Sequence, residues 1–353
     1  MIYVQPYYFW KGHYKIYTNS LFKSKKDFLI CASKIKYKRS GVYLLNPVFQ
    51  DYNKKIIFFI LSRILNYLNC ILELYKRRHT LFKKQIHFLE FEPFSFFLFL
   101  ILNIFLRKKF IITIHSTNLS SNSNNLLFII QRIFFYIIIF LLNFYRCKIV
   151  VHKARDKKNL EKFFYKGIHV IEYPSPKIQQ IKKKFKGDKS LLIFGQIRKD
   201  KNMKYSVTKA INDNFSITVA GKIIDEKGFW YSLKKERKIK LIDNYISNKY
   251  LKNLIKKNDF IFLPYGSKYS GSAGPLKDSM SFAQPVICSD IEYFKIFINK
   301  NNVGYLQNKS LKKNIRELKI NEYYKLQKNC LDFARKNNFN NFLSKHKNIY
   351  KYI

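Results

Sequence analysis

The chain has 353 residues, 47% of them hydrophobic, which is enough for about two domains with packed cores and excludes an intrinsically disordered chain. Sixty-seven Lys and Arg against 22 Asp and Glu give a formal net charge of +45, which favours phosphate-rich partners such as nucleic acid, anionic lipid or nucleotides. The many residues with A/T-rich codons leave genome composition as another source of that charge. Five scattered cysteines without a C-x-x-C pair argue against a disulfide framework or a zinc site and indicate a reducing compartment.

Apolar runs of strand length recur through the first half of the chain, and longer segments with helical character separate most of them. One such segment is KKIIFFILSRILNYLNCILELYKRR, at 54–78. The predicted strands are IYVQ, DFLICAS, IHFLEF, KFIITIHS, KIVVHK and IHVIEY, at 2–5, 27–33, 86–91, 109–116, 148–153 and 168–173. Strands that alternate with helices predict a parallel sheet covered on both faces.

Two apolar segments of the first half are candidates for contact with a membrane. Residues 94–106 are apolar over 13 positions, which is short for a span, and residues 126–145 carry Gln131, Arg132 and Asn143. Buried or membrane-apposed helices fit these segments better than true spans, although an integral membrane protein remains an alternative. The opening residues MIYVQPYYFWKGHYK also lack the pattern of a secretory signal.

The segment YPSPKIQQIKKKFKGDKS, at 173–190, has two prolines and a basic run, and it predicts a linker. Beyond it the alternation resumes, and residues 321–353 are expected to be helical. The predicted strands here are SLLIFG, FSITVAG, KIKLIDNY, DFIFLPY, PVICSD and VGYL, at 190–195, 215–221, 238–245, 259–265, 285–290 and 303–306. The pattern predicts an α/β protein with two doubly wound domains facing a central ligand cleft.

Two motifs of the second half are suited to binding a diphosphate. In LLIFGQIRKDKN the first strand ends at Gly195, and Arg198 and Lys201 follow it, so a guanidinium and an ammonium can clamp an anion there. In SGSAGP, at 270–275, small residues precede Pro275, which suits the first turn of a helix whose N–H groups can hold an anion. A solvated loop is the alternative for each motif taken alone.

Four blocks in this order, FGQIRKDKN, AGK, DNYISNKYLKNLIKKNDFIFLPY and SGSAGPLKDSMSFAQPVICSD, resemble the C-terminal domain of GT-B glycosyltransferases, particularly family 4. The first half is similar more loosely, through GHYKIYTNSL, TIHS and VVHKARDKKNL. The resemblance implies a GT-B fold of Rossmann-like domains. It predicts an acceptor-side domain at 1–176, a donor-binding domain at 187–335 and a C-terminal helix at 336–353 that returns to the first domain.

The resemblance also implies roles for individual residues. Arg198 and Lys201 would hold the donor diphosphate, Asp278 the ribose, and the turn at 244–247 the base. The implied donor-site residues are Gly12, Gly195, Arg198, Lys201, Tyr245, Ile246, Ser270, Gly271, Ser272, Ala273, Gly274 and Asp278. Two departures leave the donor sugar and the stereochemistry open, because Ser270 stands where the family has a first glutamate and Asp278 replaces the second.

His115, Arg198 and Lys201 are the candidate catalytic residues. His115 ends the strand KFIITI and resembles the family's N-domain histidine, although a structural histidine is the alternative. Glu90 and Glu92 end another strand and are candidates for a base, with surface or helix-capping roles equally open. No D-x-D motif occurs, and the acidic residues at 290–292 are expected to begin a helix, so the resemblance implies metal-independent transfer without a cofactor.

The sequence therefore predicts a hexosyltransferase, retaining as most of family 4 is, that uses a UDP- or GDP-sugar as co-substrate. The expected acceptor is a cell-surface glycan precursor, lipid-linked or of lipopolysaccharide or capsule type. The basic, apolar first half predicts a peripheral place on an anionic membrane, at the cytoplasmic face of the inner membrane. The alternative from another class is a basic α/β protein that binds nucleic acid, although no recognised nucleic-acid module is present.

Overall fold

The computed structural model describes residues 1–9, 13–33, 40–48, 56–81, 83–117, 126–179, 185–187, 189–267, 269, 273–308 and 311–351. The chain divides into two compact units. Unit 1 comprises Met1–Tyr173 and Phe342–Ile353, and unit 2 comprises Pro174–Asn341.

Unit 1 is built on a seven-stranded parallel sheet with the order β3-β2-β1-β4-β5-β6-β7. Its strands are β1 Ile2–Gln5, β2 Phe28–Ala32, β3 Val42–Leu45, β4 Ile86–Phe88, β5 Phe110–Ile114, β6 Cys147–Val151 and β7 Ile168–Val170. Its helices are α1 His13–Leu21, α2 Ile56–Lys76, α3 Pro93–Leu106, α4 Leu126–Leu141, α5 Ala154–Leu160 and most of α13 Phe339–Lys351, with a 3-10 turn at Leu142–Phe144.

Both faces of the unit 1 sheet are buried, which explains the near-continuous apolar sequence of its strands. Ile112 and Ile149 pack on the face that also holds buried residues of α2, α3 and α4. Ile111 and Val150 pack on the opposite face with residues of α1 and α13. The alternation along each strand thus divides one apolar run between two cores.

Unit 2 has a six-stranded parallel sheet with the order β10-β9-β8-β11-β12-β13. Its strands are β8 Ser190–Phe194, β9 Ser216–Ala220, β10 Ile239–Ile242, β11 Phe260–Leu263, β12 Val286–Ser289 and β13 Gly304–Gln307. Its helices are α6 Lys204–Asn212, α7 Lys227–Ser232, α8 Asn248–Lys257, α9 Gly274–Ser281, α10 Glu292–Asn301, α11 Leu311–Glu317 and α12 Ile320–Lys336, with 3-10 turns at Lys199–Lys201 and Leu233–Lys235.

The predicted α/β class and the doubly wound parallel sheets are confirmed. All twelve predicted strands are present, and the prediction missed β3, a half-buried edge strand. Helix α10 begins at Glu292, as expected for the acidic residues at 290–292. All five cysteines are buried and free of disulfides. No helix in the described part of the chain is both long and apolar enough to cross a membrane.

Candidate functional site

The predicted donor site of unit 2 lies where the strand order reverses, between β8 and β11. Ligands of open α/β sheets bind beyond the carboxyl ends of the strands at such a point. The chain leaves β8 at Gly195, whose φ of +95° lies in a region that favours glycine. A Cβ atom on Gly221 would lie 1.9 Å from the Gly195 carbonyl oxygen, so the AGK block needs its glycine for this close approach.

Lys201 is the most buried cation of this region, with 6% of its surface exposed. Its Nζ donates a 2.6 Å hydrogen bond to the Gln196 carbonyl and lies 5.1 Å from the ring centre of Tyr265. Burial, assisted by the nearby charge of Arg198, lowers the pKa of Lys201 to about 8. A bound anion would oppose both effects and hold the ammonium in its charged form.

Arg198 stands at the start of the 3-10 turn, and its side chain is largely exposed. Its guanidinium donates a 3.0 Å hydrogen bond to the Asp200 carboxylate. The preceding residue, Ile197, pairs with Ile223, so an extension of the sheet holds the backbone that carries Arg198. Exposed ion pairs contribute little to stability, and a more highly charged ligand can compete for the guanidinium.

Helix α9 begins beside Gly195, since a Cβ atom on that glycine would lie 3.7 Å from Cγ of Pro275. Pro275 occupies the first turn as predicted, Gly274 is exposed, and none of the described side chains caps this helix start. The positive end of this helix therefore lies beside the glycine from which the chain leads to the two cations. Ala273 is the N-cap residue and is buried.

Asp278 is partly buried on α9, and desolvation raises its pKa to about 6. Among the described residues, no side chain or backbone N–H donates a hydrogen bond to its carboxylate. The neighbouring Lys277 does not pair with it, because that ammonium lies 4.4 Å from the ring centre of Phe333 and 5.3 Å from that of Phe297. A carboxylate in this state gains from a ligand that donates hydrogen bonds.

The predicted base-contacting turn follows β10. Ser247 caps α8 by accepting a 3.2 Å hydrogen bond from the backbone N–H of Tyr250. Asn244 accepts one from the N–H of Tyr245, whose ring is 70% exposed, while Ile246 packs on the core. The turn thus presents an exposed aromatic ring.

Four predicted site residues, Gly12, Ser270, Gly271 and Ser272, lie outside the described residues. The sequence prediction overlooked Tyr265, which lies beneath Lys201 and 4.5 Å, centre to centre, from the ring of Tyr269. Its position two residues beyond β11, at the predicted site edge of the sheet, is the signal that could have found it.

In unit 1, His115 directly follows β5, and its ring is held on both sides. Nε2 lies 2.9 Å from the Leu89 carbonyl oxygen and 2.9 Å from Oε1 of Glu90. Nδ1 lies 2.9 Å from Nε2 of His152. Burial opposes the charged form, but the Glu90 carboxylate outweighs it with the hydrogen bonds, and the pKa of His115 is raised.

His152 was overlooked by the sequence prediction. Its signal was its position one residue beyond β6, because Ile114 of β5 is in register with Val151 of β6, which places the next residue of each strand side by side. Of the two candidate bases, Glu92 has a capping role: its carboxylate accepts hydrogen bonds from the N–H groups of Phe94 and Ser95 at the start of α3. Within the described ranges, no group of His, Cys, Asp and Glu side chains is arranged to hold a metal ion.

Neither a protein-family model nor a curated protein matches the chain, but solved structures do. A sucrose-phosphate synthase from Thermosynechococcus elongatus superposes with a TM-score of 0.72 at 11% identity over 99% of this chain and 98% of its own. Anabaena HepE in complex with UDP gives 0.67 at 8% identity over 100% and 99%. WaaG, a glycosyltransferase involved in lipopolysaccharide biosynthesis, gives 0.61 at 10% identity over 100% of both chains.

The chain has the GT-B fold. At these identities the likeness establishes the fold alone. The resemblance of the four sequence blocks predicted the donor site at one edge of unit 2. That edge holds Gly195, Lys201 and the start of α9.

Proposed function

We propose that this GT-B protein is a glycosyltransferase that moves a hexose from a nucleotide diphosphate sugar to a glycan acceptor. The observation that carries the proposal lies at the strand reversal of unit 2, where the start of α9 is beside Gly195, and Arg198 and the buried Lys201 follow Gly195 in the chain. HepE, of the same fold, is known in complex with UDP, which supports a UDP-sugar, with a GDP-sugar as the alternative.

The geometry supports a mechanism in which the protein stabilises the leaving group. As the glycosidic bond breaks, negative charge grows on the diphosphate, and fixed cations and N–H donors close to that charge lower the barrier. The Lys201 ammonium, held against Gln196 and Tyr265, is preorganised for this role. Such transfer needs no metal ion and no dedicated protein nucleophile, and we propose that the anomeric configuration is retained.

Asp278 provides the complementary interaction with the ribose. Its carboxylate is raised in pKa and accepts no hydrogen bond among the described residues, so two ribose hydroxyls would supply donors that it lacks. Tyr245 would lie against the base, where an exposed ring can stack.

The acceptor class is proposed from a protein of the same fold. WaaG acts in lipopolysaccharide biosynthesis, and it has this fold, so we propose a cell-surface glycan precursor as the acceptor class. A lipid-linked precursor would also explain an exposed apolar surface on unit 1.

Helices α3 and α4 of unit 1 expose a broad apolar face, here called the apolar stripe. The two helices pack through Phe94 and Phe134, whose ring centres are 5.0 Å apart. Exposed members of the stripe are Phe97, Ile101, Ile104 and Phe105, followed by Leu126, Ile130, Ile133, Ile137, Phe140 and Phe144. From Leu126 to Phe144 the spacing follows helical periodicity, so one side of α4 is apolar along its length.

Exposed basic residues, Arg107, Lys109 and Arg146, lie next to the ends of these helices. An apolar face bordered by cations matches the interface of an anionic membrane, where apolar side chains enter the acyl boundary and cations contact headgroups. We therefore propose a peripheral position on the cytoplasmic face of the inner membrane, with the acceptor drawn from the same surface.

A donor screen tests the proposed activity. The protein would be melted with UDP, GDP and other nucleotides, and hydrolysis of each nucleotide sugar would be followed by product release. One diphosphate should raise the melting temperature, since a ligand at 100 times its Kd stabilises a protein by about 2.7 kcal/mol. Stabilisation by single-stranded oligonucleotides with none by any nucleotide would favour the nucleic-acid alternative instead.

A further inference from the structure

The pair formed by His115 and His152 has a proton arrangement that its contacts determine. The two rings meet through Nδ1 of His115 and Nε2 of His152, 2.9 Å apart. The outer nitrogen of each ring faces a backbone carbonyl: Nε2 of His115 faces Leu89 at 2.9 Å, and Nδ1 of His152 faces Ile171 at 2.8 Å.

A carbonyl oxygen only accepts hydrogen bonds, so each outer nitrogen must carry a proton. The contact between the rings also needs a proton, because two bare ring nitrogens at 2.9 Å would repel one another. The pair therefore holds three protons on two imidazoles, and two neutral imidazoles hold only two. The count gives the pair one positive charge.

Glu90 is placed to balance that charge. Its Oε1 lies 2.9 Å from Nε2 of His115, and its side chain is 8% exposed while that of His115 is 18% exposed. Two unlike charges at this distance with little solvent between them attract strongly, which favours the charged form of the histidine.

Aromatic and basic side chains complete the surroundings of the pair. The Tyr17 ring lies 5.2 Å from His115 and 5.5 Å from His152, centre to centre, and the ring of Tyr173 lies 5.2 Å from His152. Burial raises the pKa of Tyr17, so its phenol is neutral here. Among the described residues, Arg63 of α2 is the basic group whose charge opposes that of His115. His87 of β4 adds no charge, because burial lowers its pKa well below the usual value.

We infer that His152 is a positioning residue for His115 and that the two rings share three protons at neutral pH, so that His115 acts as a charged hydrogen-bond donor and not as a general base. With both ring nitrogens protonated, His115 has no lone pair to take a proton from an acceptor hydroxyl. The inference rests on the proposed glycosyl transfer only for its consequence in catalysis.

The protonation state can be measured without any substrate. In the full chain labelled with ¹⁵N-histidine, long-range ¹H–¹⁵N spectra distinguish a ring with two protonated nitrogens from a neutral ring. The wild-type protein should show one doubly protonated ring at about pH 7, and Glu90→Gln should lower the midpoint of its titration by about one to three units. His169→Gln, which alters another histidine of unit 1, is the control and should leave this titration unchanged.

Two substitutions of His152 test its hydrogen bonds to His115 and to Ile171 separately. Gln places an amide oxygen near the former Nε2 and keeps an acceptor for His115, whereas Asn places its amide near the former Nδ1 and keeps only the bond to Ile171. His152→Asn should therefore lower the charged fraction of His115 at neutral pH more than His152→Gln does. Two neutral rings in the wild-type spectrum would overturn the inference, and so would equal titrations in both His152 variants.

The pH dependence of turnover gives a second readout. A charged donor predicts that kcat/KM falls as the pair loses its third proton with rising pH, whereas a general base predicts that kcat/KM rises through the same range. A rise would overturn the assigned role. Absence of turnover with every donor, alongside the three-proton spectrum, would count against the proposed function and leave the proton count intact.

Discussion

Tyr17 and His346, 329 residues apart in the chain, are joined by a 3.1 Å hydrogen bond between the tyrosine hydroxyl and Nε2 of the histidine. His346 lies on α13 and uses its other nitrogen, Nδ1, to donate to the Phe342 carbonyl at 3.0 Å. Burial lowers the pKa of His346, so the ring is neutral at about pH 7 and its Nε2 accepts from Tyr17. The C-terminal helix is thus held to unit 1 by a bond that depends on an unprotonated histidine.

The same network continues to a second buried histidine. The Tyr17 hydroxyl lies 3.1 Å from Oγ1 of Thr113, which lies 2.8 Å from Nε2 of His87. Nδ1 of His87 lies 2.9 Å from the Tyr350 hydroxyl, again on α13. One direction of donation, from Tyr350 through His87, Thr113 and Tyr17 to His346, uses each proton once and leaves both rings neutral.

Acid should therefore destabilise the protein through His346. Burial lowers its pKa to about 4, below the value of about 6.5 in the unfolded chain, so the unfolded state binds more protons between these values. The free energy of unfolding should fall as the pH falls through this window, by about 3 kcal/mol from this group alone. Urea unfolding of wild-type protein and of His346→Gln, which keeps an acceptor for Tyr17, would measure the difference.

The exposed His79 supplies the control, because His79→Gln removes a histidine from the surface of unit 1. Its unfolding free energy should follow the wild-type pH dependence, whereas that of His346→Gln should be flatter below about pH 6. Parallel curves for wild type and His346→Gln would show that this histidine is not buried in its neutral form.

The strands were predictable from the sequence for a physical reason. A strand buried on both faces, such as Phe110–Ile114, is apolar at every position except Thr113 and stands out from its surroundings. Strand β3, at the edge of the sheet, is half-buried and only four residues long, so its VYLL sequence carries little signal.

The residues of the candidate site differ in how far the sequence alone points to them. Arg198, Lys201 and Pro275 were predicted because motifs local to one strand end or one helix start contain them. Tyr265 and His152 were not predicted, because their partners come from other strands, and only the order and register of the sheet bring them together. Local patterns identify the residues that come after a strand in the chain, whereas topology decides which residues lie beside them.

Asp278 should link nucleotide affinity to stability. With a pKa raised to about 6, its ionised form is disfavoured in the folded state, and this cost is present above that pH and absent below about pH 4. Asp278→Asn should therefore raise the unfolding free energy at about pH 7, by about 1 to 3 kcal/mol, while it weakens the binding of the nucleoside diphosphate. Thermal melting with and without nucleotide measures both effects.

Asp290→Asn is the matched control, because Asp290 is exposed and lies just before α10. It should change neither quantity by much, as is usual for surface substitutions. Undiminished nucleotide affinity in Asp278→Asn would place this carboxylate outside the donor site.

The apolar stripe predicts salt-sensitive binding to anionic vesicles. Phe105, 81% exposed on α3, should enter the lipid, and burial of a phenylalanine contributes about 1.5 to 3 kcal/mol. Phe105→Ser should thus reduce the partition into phosphatidylserine-containing vesicles by about tenfold or more in a sedimentation assay. Added salt should weaken binding further, because it screens the basic border of the stripe.

Tyr205, 77% exposed on α6 of unit 2, provides a control of similar size and exposure. Tyr205→Ser should partition as the wild type does. Equal binding of the wild type to neutral and anionic vesicles at every salt concentration would contradict a role for the charged border.

Arg198 and Lys201 should act together on the leaving group. Removal of one donor to a transition-state anion costs about 100-fold to 1000-fold in turnover, and we expect that loss in kcat for Arg198→Ala. Arg198→Lys should recover only part of the rate, because a point charge lacks the fork of the guanidinium. Both are measured with the donor that the melting screen identifies.

The double variant distinguishes joint action from two separate contributions. If both cations serve one diphosphate, Arg198→Ala with Lys201→Ala should cost less than the sum of the two single free energies. Arg237→Ala removes an exposed arginine elsewhere in unit 2 and should leave turnover unchanged. Because Lys201 is buried against Tyr265, its variant must be shown to keep the wild-type melting temperature. A folded double variant with full activity would remove these cations from the reaction, and with them the central support for the proposed transfer.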